Sequence, residues 1–192
     1  TQAEVTAALV TTDTLVVAST ATVTISDAVT IAQLTAIDAK TSGTITYTSI
    51  SDTASNLAAN TGSYVTGAVN VTITDGITAA ELVTINALTS GEITLNDTND
   101  TLTDSTADLV AAFTGTVTAY SGAITINDAN ATAITAANLS TIGGETSGVV
   151  TVTNAIAISG TQAEVTAALV TTDTLVVAST ATVTISDANA TA

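Results

Sequence analysis

The densest run of oxygen ligands in the chain is NDTNDTLTDSTAD, where Asn96, Asp97, Asn99, Asp100, Asp104 and Asp108 fall within residues 96–108. Calcium takes six to eight hard oxygen ligands from carboxylates, amides and carbonyls, so this run is a candidate calcium loop. It lacks the spacing and the closing glutamate of an EF-hand, and the match is one of ligand chemistry. A second pattern points the same way. Asp27, Ser49, Asp75, Asp97, Asp128, Asn154 and Asp187 each follow a short alternating segment. Strands stacked about 4.8 Å apart would set Asp75, Asp97 and Asp128 in a row, where like charges repel by about 1 kcal/mol even in a water-like dielectric. A cation would offset that repulsion. Asp75, Asp97, Asp100, Asp104 and Asp128 are therefore the candidate ligands, and calcium is the candidate cofactor. The competing use of such residues is in Asx-turns and helix caps.

Other chemistry is thinly supplied. Histidine, cysteine, methionine, tryptophan and proline are absent, and Lys40 is the one side-chain amine. Without imidazole or thiolate, neither a conventional zinc site nor a histidine-activated nucleophile is available. Three tyrosines and one phenylalanine cannot line much of a substrate cleft. The expectation is a non-enzymatic protein.

Charge narrows the partners. Seventeen acidic residues against one basic residue give a formal net charge of -16. Such a polyanion has no attraction for nucleic acid or anionic membranes. Mean hydropathy is +0.54, yet threonine interrupts every apolar run before the roughly 18 residues that a spanning helix needs. No signal peptide is visible at Thr1, and the reading is of a section of a longer exported chain.

The elements that must position these residues are set by repetition. TQAEVTAALVTTDTLVVASTATVTISDA runs from Thr1 to Ala28 and returns unchanged from Thr161 to Ala188, an offset of 160 residues. Inside it, TVTIS, TITYT, VTIT, EITLN, AITIN and VVTVT recur as period-2 segments of β-branched residues, the mark of half-buried strands. Between them come helical stretches with capped starts. Thr30 with Gln33, Thr78 with Glu81 and Thr161 with Glu164 read as capping boxes, and Thr53, Ser105 and Thr135 as simpler caps. Val29 with Leu34, Ile77 with Leu82 and Ile134 with Leu139 are spaced as hydrophobic staples. Ser42-Gly43, Ser90-Gly91, Ser121-Gly122 and Ser147-Gly148 precede strands, where glycine would supply a left-handed turn.

Strand, crossover and strand at this spacing predict parallel neighbours. The expected fold is a β-rich repeat solenoid with short helices or coils opposite the strands, or else a right-handed β-helix. Residues 1–22 end one superrepeat, 23–182 form the next as three pairs of units (23–70, 71–123 and 124–182), and 183–192 begin another. In-register stacking would align Thr24, Thr46, Thr72, Thr94, Thr125, Thr151 and Thr184 as a surface threonine ladder. Such a face suits solvent, and in a flat array it would suit ice.

TITYTSISDTASNLAAN followed by VNVTITDGITAAELVTI resembles the Thr, Ala, Val and Asp-rich repeats of giant bacterial surface and secreted proteins, cyanobacterial ones especially. The resemblance implies an exported structural or adhesive role with calcium as a common ion. The tandem GGxGxDxxx nonapeptide of the haemolysin-type calcium family is missing, and Gly143-Gly144-Glu145 does not replace it.

Together these readings predict an extracellular or cell-surface structural protein that forms a fibre, sheath or coat by head-to-tail continuation. Its partners would be copies of itself, with cell surfaces or glycans as further contacts. The alternative is a calcium-dependent adhesin or an ice- or glycan-binding module.

Overall fold

The computed structural model of the chain describes residues 1–12, 16–95, 101–118 and 120–187. Seven α-helices lie among them: α1 (Gln2–Leu9), α2 (Ile31–Asp38), α3 (Ala54–Ala59), α4 (Ala79–Leu88), α5 (Thr106–Ala112), α6 (Ala136–Gly144) and α7 (Gln162–Leu169). All seven begin at a hydroxyl that accepts the amide three residues on. The boxes at Thr1, Thr30, Thr78 and Thr161 are reciprocal, with the Glu or Gln side chain returning to the cap amide. Each satisfies two amides that would otherwise lack partners.

From each cap the apolar residues recur on one face. Leu34, Leu57, Leu82, Leu109 and Leu139 all stand four residues after their caps, and all are fully buried. Ile37, Ile85, Ala112 and Ile142 lie one turn further on and are also sealed from solvent. That stripe faces the strands. Ile50, Val71, Ile93, Ile124, Val150 and Ile158 meet it from the other side, so the core is a layer between helices and strands.

The strands are short and parallel. A first sheet pairs β1 (Val23–Thr24) with β2 (Ile45–Thr46). A second runs β3 (Ser49–Asp52), β4 (Asn70–Ile73), β5 (Ile93–Leu95). A third joins β6 (Leu102–Asp104), β7 (Ile124–Ile126), β9 (Val150–Val152) and β11 (Val176–Val177). The fourth orders β8 (Ala133–Thr135), β10 (Ala157–Gly160) and β12 (Thr182–Ile185). Isolated bridges from Val29 to Ile50 and from Ile93 to Val117 extend the second sheet at both sides. Partners are one unit apart in the chain: 21 residues separate Ile50 from Val71, and 26 separate Val150 from Val176. Successive helices lie against one another in the same sense, α3 on α4, α4 on α5, α5 on α6 and α6 on α7.

The β-rich solenoid or β-helix expected from the alternating segments is thus overturned. The fold is mixed α/β, with seven helices and several short parallel sheets among the described residues, and no closed solenoid is formed. The physical reason lies in the stretches between strands. Period-2 alternation lasts only two to four paired residues in each unit. The capped segments, by contrast, hold a helical apolar stripe of six to ten residues.

Register departs from the expected alignment as well. Val23 does face Ile45, Val71 faces Ile93 and Ile124 faces Val150. Between those pairs the ladder shifts, since Val71 also pairs with Ile50, Ile93 with Val117, and Val150 with Val176. Within GSYVTGAV, residues 62–69, which is rich in β-branched and small residues, no strand forms.

Candidate functional site

Among the aspartates singled out as calcium ligands, Asp75, Asp104 and Asp128 have another occupation. Asp75 Oδ1 accepts the amide of Ala54, first residue of α3, at 2.7 Å. Asp128 Oδ2 accepts the amide of Thr106, first residue of α5, at 2.8 Å, and the Thr106 hydroxyl at 2.6 Å. Asp27 and Asp187 do the same for Gln2 of α1 and Gln162 of α7, both at 2.5 Å. In each case the carboxylate comes from the strand end of one unit and the amide from the helix of the unit before. A helix N-terminus carries partial positive charge and unpaired amides, so it supplies the compensation that the row of carboxylates requires.

Asp52 belongs to this set, although it was not among the candidates drawn from the sequence. Its Oδ2 accepts the Ile31 amide at the start of α2 at 2.9 Å. Its Oδ1 takes the Thr53 amide and the Asn56 side-chain amide, both at 2.8 Å. One buried carboxylate thereby holds the starts of two successive helices. The signal available in the sequence was the acid directly before a capping hydroxyl, Asp52-Thr53 and Asp104-Ser105. In the second pair Asp104 Oδ1 accepts the Ser105 amide at 2.8 Å. Asp97 and Asp100 lie outside the described residues. Among the described residues no three acidic side chains converge on a common point.

A second device binds the units at the C-terminal ends of α2, α4 and α6. Thr41, Thr89 and Thr146 are buried threonines that open the triplet Thr-Ser-Gly. Their hydroxyls donate to carbonyls of the preceding unit: Ala21 at 2.6 Å, Val69 at 2.5 Å and Gly122 at 2.7 Å. The same oxygens accept the amides of Gly43, Gly91 and Gly148 at 3.0, 2.9 and 2.9 Å. The intervening serine amides donate backward too, Ser42 to Ser19, Ser90 to Gly67 and Ser147 to Tyr120.

These glycines are required for closeness and not for the left-handed turn expected of them. Gly43, Gly91 and Gly148 do not have positive φ, but a Cβ on each would lie 2.1 to 2.3 Å from a carbonyl oxygen of the preceding unit. The sequence showed the Ser-Gly pair. The threonine before it, whose hydroxyl makes the bond, was the part missed.

The threonine face is divided among the sheets. Thr24 pairs with Thr46, Thr72 with Thr94, and Thr125 with Thr151, while Thr184 pairs with Ser159. These residues therefore form separate short rows. Thr24, Thr46 and Thr184 are exposed, and the other four are half-buried.

The clefts on the surface are shallow. One is lined by Glu145, Thr146, Asp173 and Leu175 at the end of α6. Burial pushes the Glu145 carboxyl up from its ordinary range. The chemistry assembled in this fold is one of joining neighbours: carboxylate on helix start, hydroxyl on carbonyl, strand on strand. No family model, curated protein or solved structure matches the chain.

Proposed function

We propose that the protein is an extracellular structural repeat protein that builds a fibre, sheath or surface coat by end-to-end continuation of its row of strand–helix units. One observation carries this reading. The repeated segment is covered on one side by the unit before and on the other by the unit after: Val176 is buried and paired with Val150, and Val23 is buried and paired with Ile45. A segment that is completed by a unit on each side belongs to a row that continues by adding units. Seam bonds recur along the molecule, a carboxylate on the helix start at α1, α2, α3, α5 and α7 and a threonine hydroxyl on a carbonyl after α2, α4 and α6, so a further unit would use bonding already present. The extracellular assignment rests on the likeness of the repeats to bacterial surface proteins.

Because the contact is head-to-tail, it makes an open filament unless the rotation closes. The adhesin alternative gains nothing from Asp75, Asp104 and Asp128, each of which has an oxygen engaged by a backbone amide. Negative-stain electron microscopy of the concentrated protein tests the proposal. Unbranched filaments one molecule wide are expected, and dispersed single particles at every concentration would contradict it.

A further inference from the structure

Three asparagines among the described residues begin the triplet Asn-x-Ser/Thr: Asn70-Val71-Thr72, Asn130-Ala131-Thr132 and Asn138-Leu139-Ser140. In an exported chain that triplet is the acceptor for N-linked sugar. Threonine is so frequent here that the triplet alone selects nothing, and the fold decides among the three. Asn96, Asn99 and Asn189 begin the same triplet and lie outside the described residues.

Two of the three are locked into the core. Asn70 opens β4, where Val71 is 1% exposed and paired with Ile50 on one side and Ile93 on the other. Thr72 is paired in the same way with Ser51 and Thr94. Asn138 lies in the first turn of α6, and Leu139 beside it is fully buried. To enter the groove of an enzyme, either triplet would have to draw a core side chain out of its sheet or helix.

Asn130 stands apart. With Ala131 it forms the centre of a turn between β7 and β8, closed by the Thr132 amide on the Ala129 carbonyl at 3.1 Å. Ala129, Asn130 and Ala131 are exposed, and Thr132 is half-buried. Neighbouring units are present on both sides of this turn. β7 pairs with β6 and with β9, and the Ala131 amide donates to the Ala155 carbonyl of the following unit at 2.7 Å. Ala131 has a φ of 61°, in the left-handed region that a Cβ disfavours. Opening the turn therefore releases an unfavourable backbone conformation and exposes no core.

The side chains fit the same use. Asn130 is held by its oxygen, which accepts the Ala155 amide at 3.0 Å. Its nitrogen and the Thr132 hydroxyl, the two groups that the triplet contributes, make no bond to the described residues. Asp128, two residues earlier, gives Oδ2 to Thr106 and leaves Oδ1 unbonded, whereas Asn70 and Asn138 have alanine at that place. An acid there extends the triplet into the acceptor motif of bacterial oligosaccharyltransferases. Resting on the exported location proposed above, we infer that Asn130 is a site of N-glycosylation, with a lipid pyrophosphate-linked oligosaccharide as donor. Asn130 Nδ2 bonds to C1 of the first sugar as the bond from C1 to the pyrophosphate oxygen breaks. The lipid pyrophosphate leaves with the electron pair, and an amide proton passes to a base of the enzyme. Oδ1 is unchanged, so the bond to Ala155 survives the modification.

The test uses the folded full chain, incubated with a bacterial oligosaccharyltransferase and its lipid-linked donor, with the attached sugar located by mass spectrometry. Sugar is expected on Asn130, with Asn70 and Asn138 bare. Thr132→Ala removes a hydroxyl that the fold does not use, so it should leave the circular dichroism spectrum and urea midpoint unchanged while transfer to Asn130 is lost. Thr132→Ser should restore transfer. A bare Asn130 in the unaltered chain, when a synthetic acceptor peptide is modified in the same mixture, would overturn the site. So would equal modification of Asn70 or Asn138, or undiminished transfer in Thr132→Ala. The reaction is read on dissolved monomer, so any of these results leaves the fibre reading standing.

Discussion

Asp128 Oδ2 lies 2.8 Å from the amide nitrogen of Thr106, 22 residues earlier in the chain and one unit away. The bond joins a strand end to the first residue of α5, and it is repeated at Asp27, Asp52, Asp75 and Asp187 on four other helices. A carboxylate here meets both the unpaired amide and the positive end of the helix. The acidic composition is in part a consequence of building seams this way.

Asp128→Ala is expected to cost about 1–2 kcal/mol, the usual value of a lost cap, because the Thr106 amide and its buried hydroxyl both lose their acceptor. Asp38→Ala, at the exposed last residue of α2, is the control: a negative charge at a helix C-terminus is unfavourable, and its removal should be neutral or mildly stabilising. Urea unfolding of the two variants measures the contrast. Equal losses would mean that the seam carboxylates contribute nothing specific.

Thr89→Val keeps the shape and removes the hydroxyl that bonds Val69 and Gly91. Leaving a buried amide and carbonyl without partners costs about 1–3 kcal/mol, so a clear fall in the urea midpoint is expected. Thr89→Ser, which restores the hydroxyl, should recover most of it.

The two ends of a unit were unequally legible in the sequence. Helix starts could be read because a cap is local chemistry: Thr30 and Gln33 are three residues apart and need nothing else to form their box. The same holds for the buried leucine four residues after five of the seven caps. What could not be read was which residue lies across a seam. Asp75 finds Ala54 only through an offset of 21 residues, while Asp27 finds Gln2 through one of 25. That offset varies because the linking segments vary in length. The carboxylates therefore looked like a free row awaiting a cation. The β-rich expectation failed for a related reason, since TVTIS-like segments alternate in composition beyond the few residues that pair.

Glu145 gives a pH signature. Burial raises its carboxyl above the ordinary value of 4.5, so the folded chain holds this proton to higher pH than the unfolded chain. Its contribution is present in full below 4.5 and is lost as pH rises through the raised value. Thermal unfolding of Glu145→Gln against the unaltered chain should show a smaller fall in stability over that window. Parallel curves would refute the assignment.

Copies with a net charge of -16 repel one another before they bond. Screening shortens from about 30 Å at 0.01 M salt to about 3 Å at 1 M. The concentration at which filaments appear should therefore fall as sodium chloride is raised over this range, as followed by light scattering. A threshold that rises with salt would indicate that the joining contact is chiefly ionic.

The axial rise of one copy in the filament, measured by helical reconstruction from cryo-electron micrographs, tests the central claim most directly. The seven helices mark seven units, and six steps lead from α1 to α7. Copies that continue the row end to end advance the filament by about seven strand spacings each, about 34 Å. A rise far from that value would mean that the strands do not run on from copy to copy, and would contradict the account.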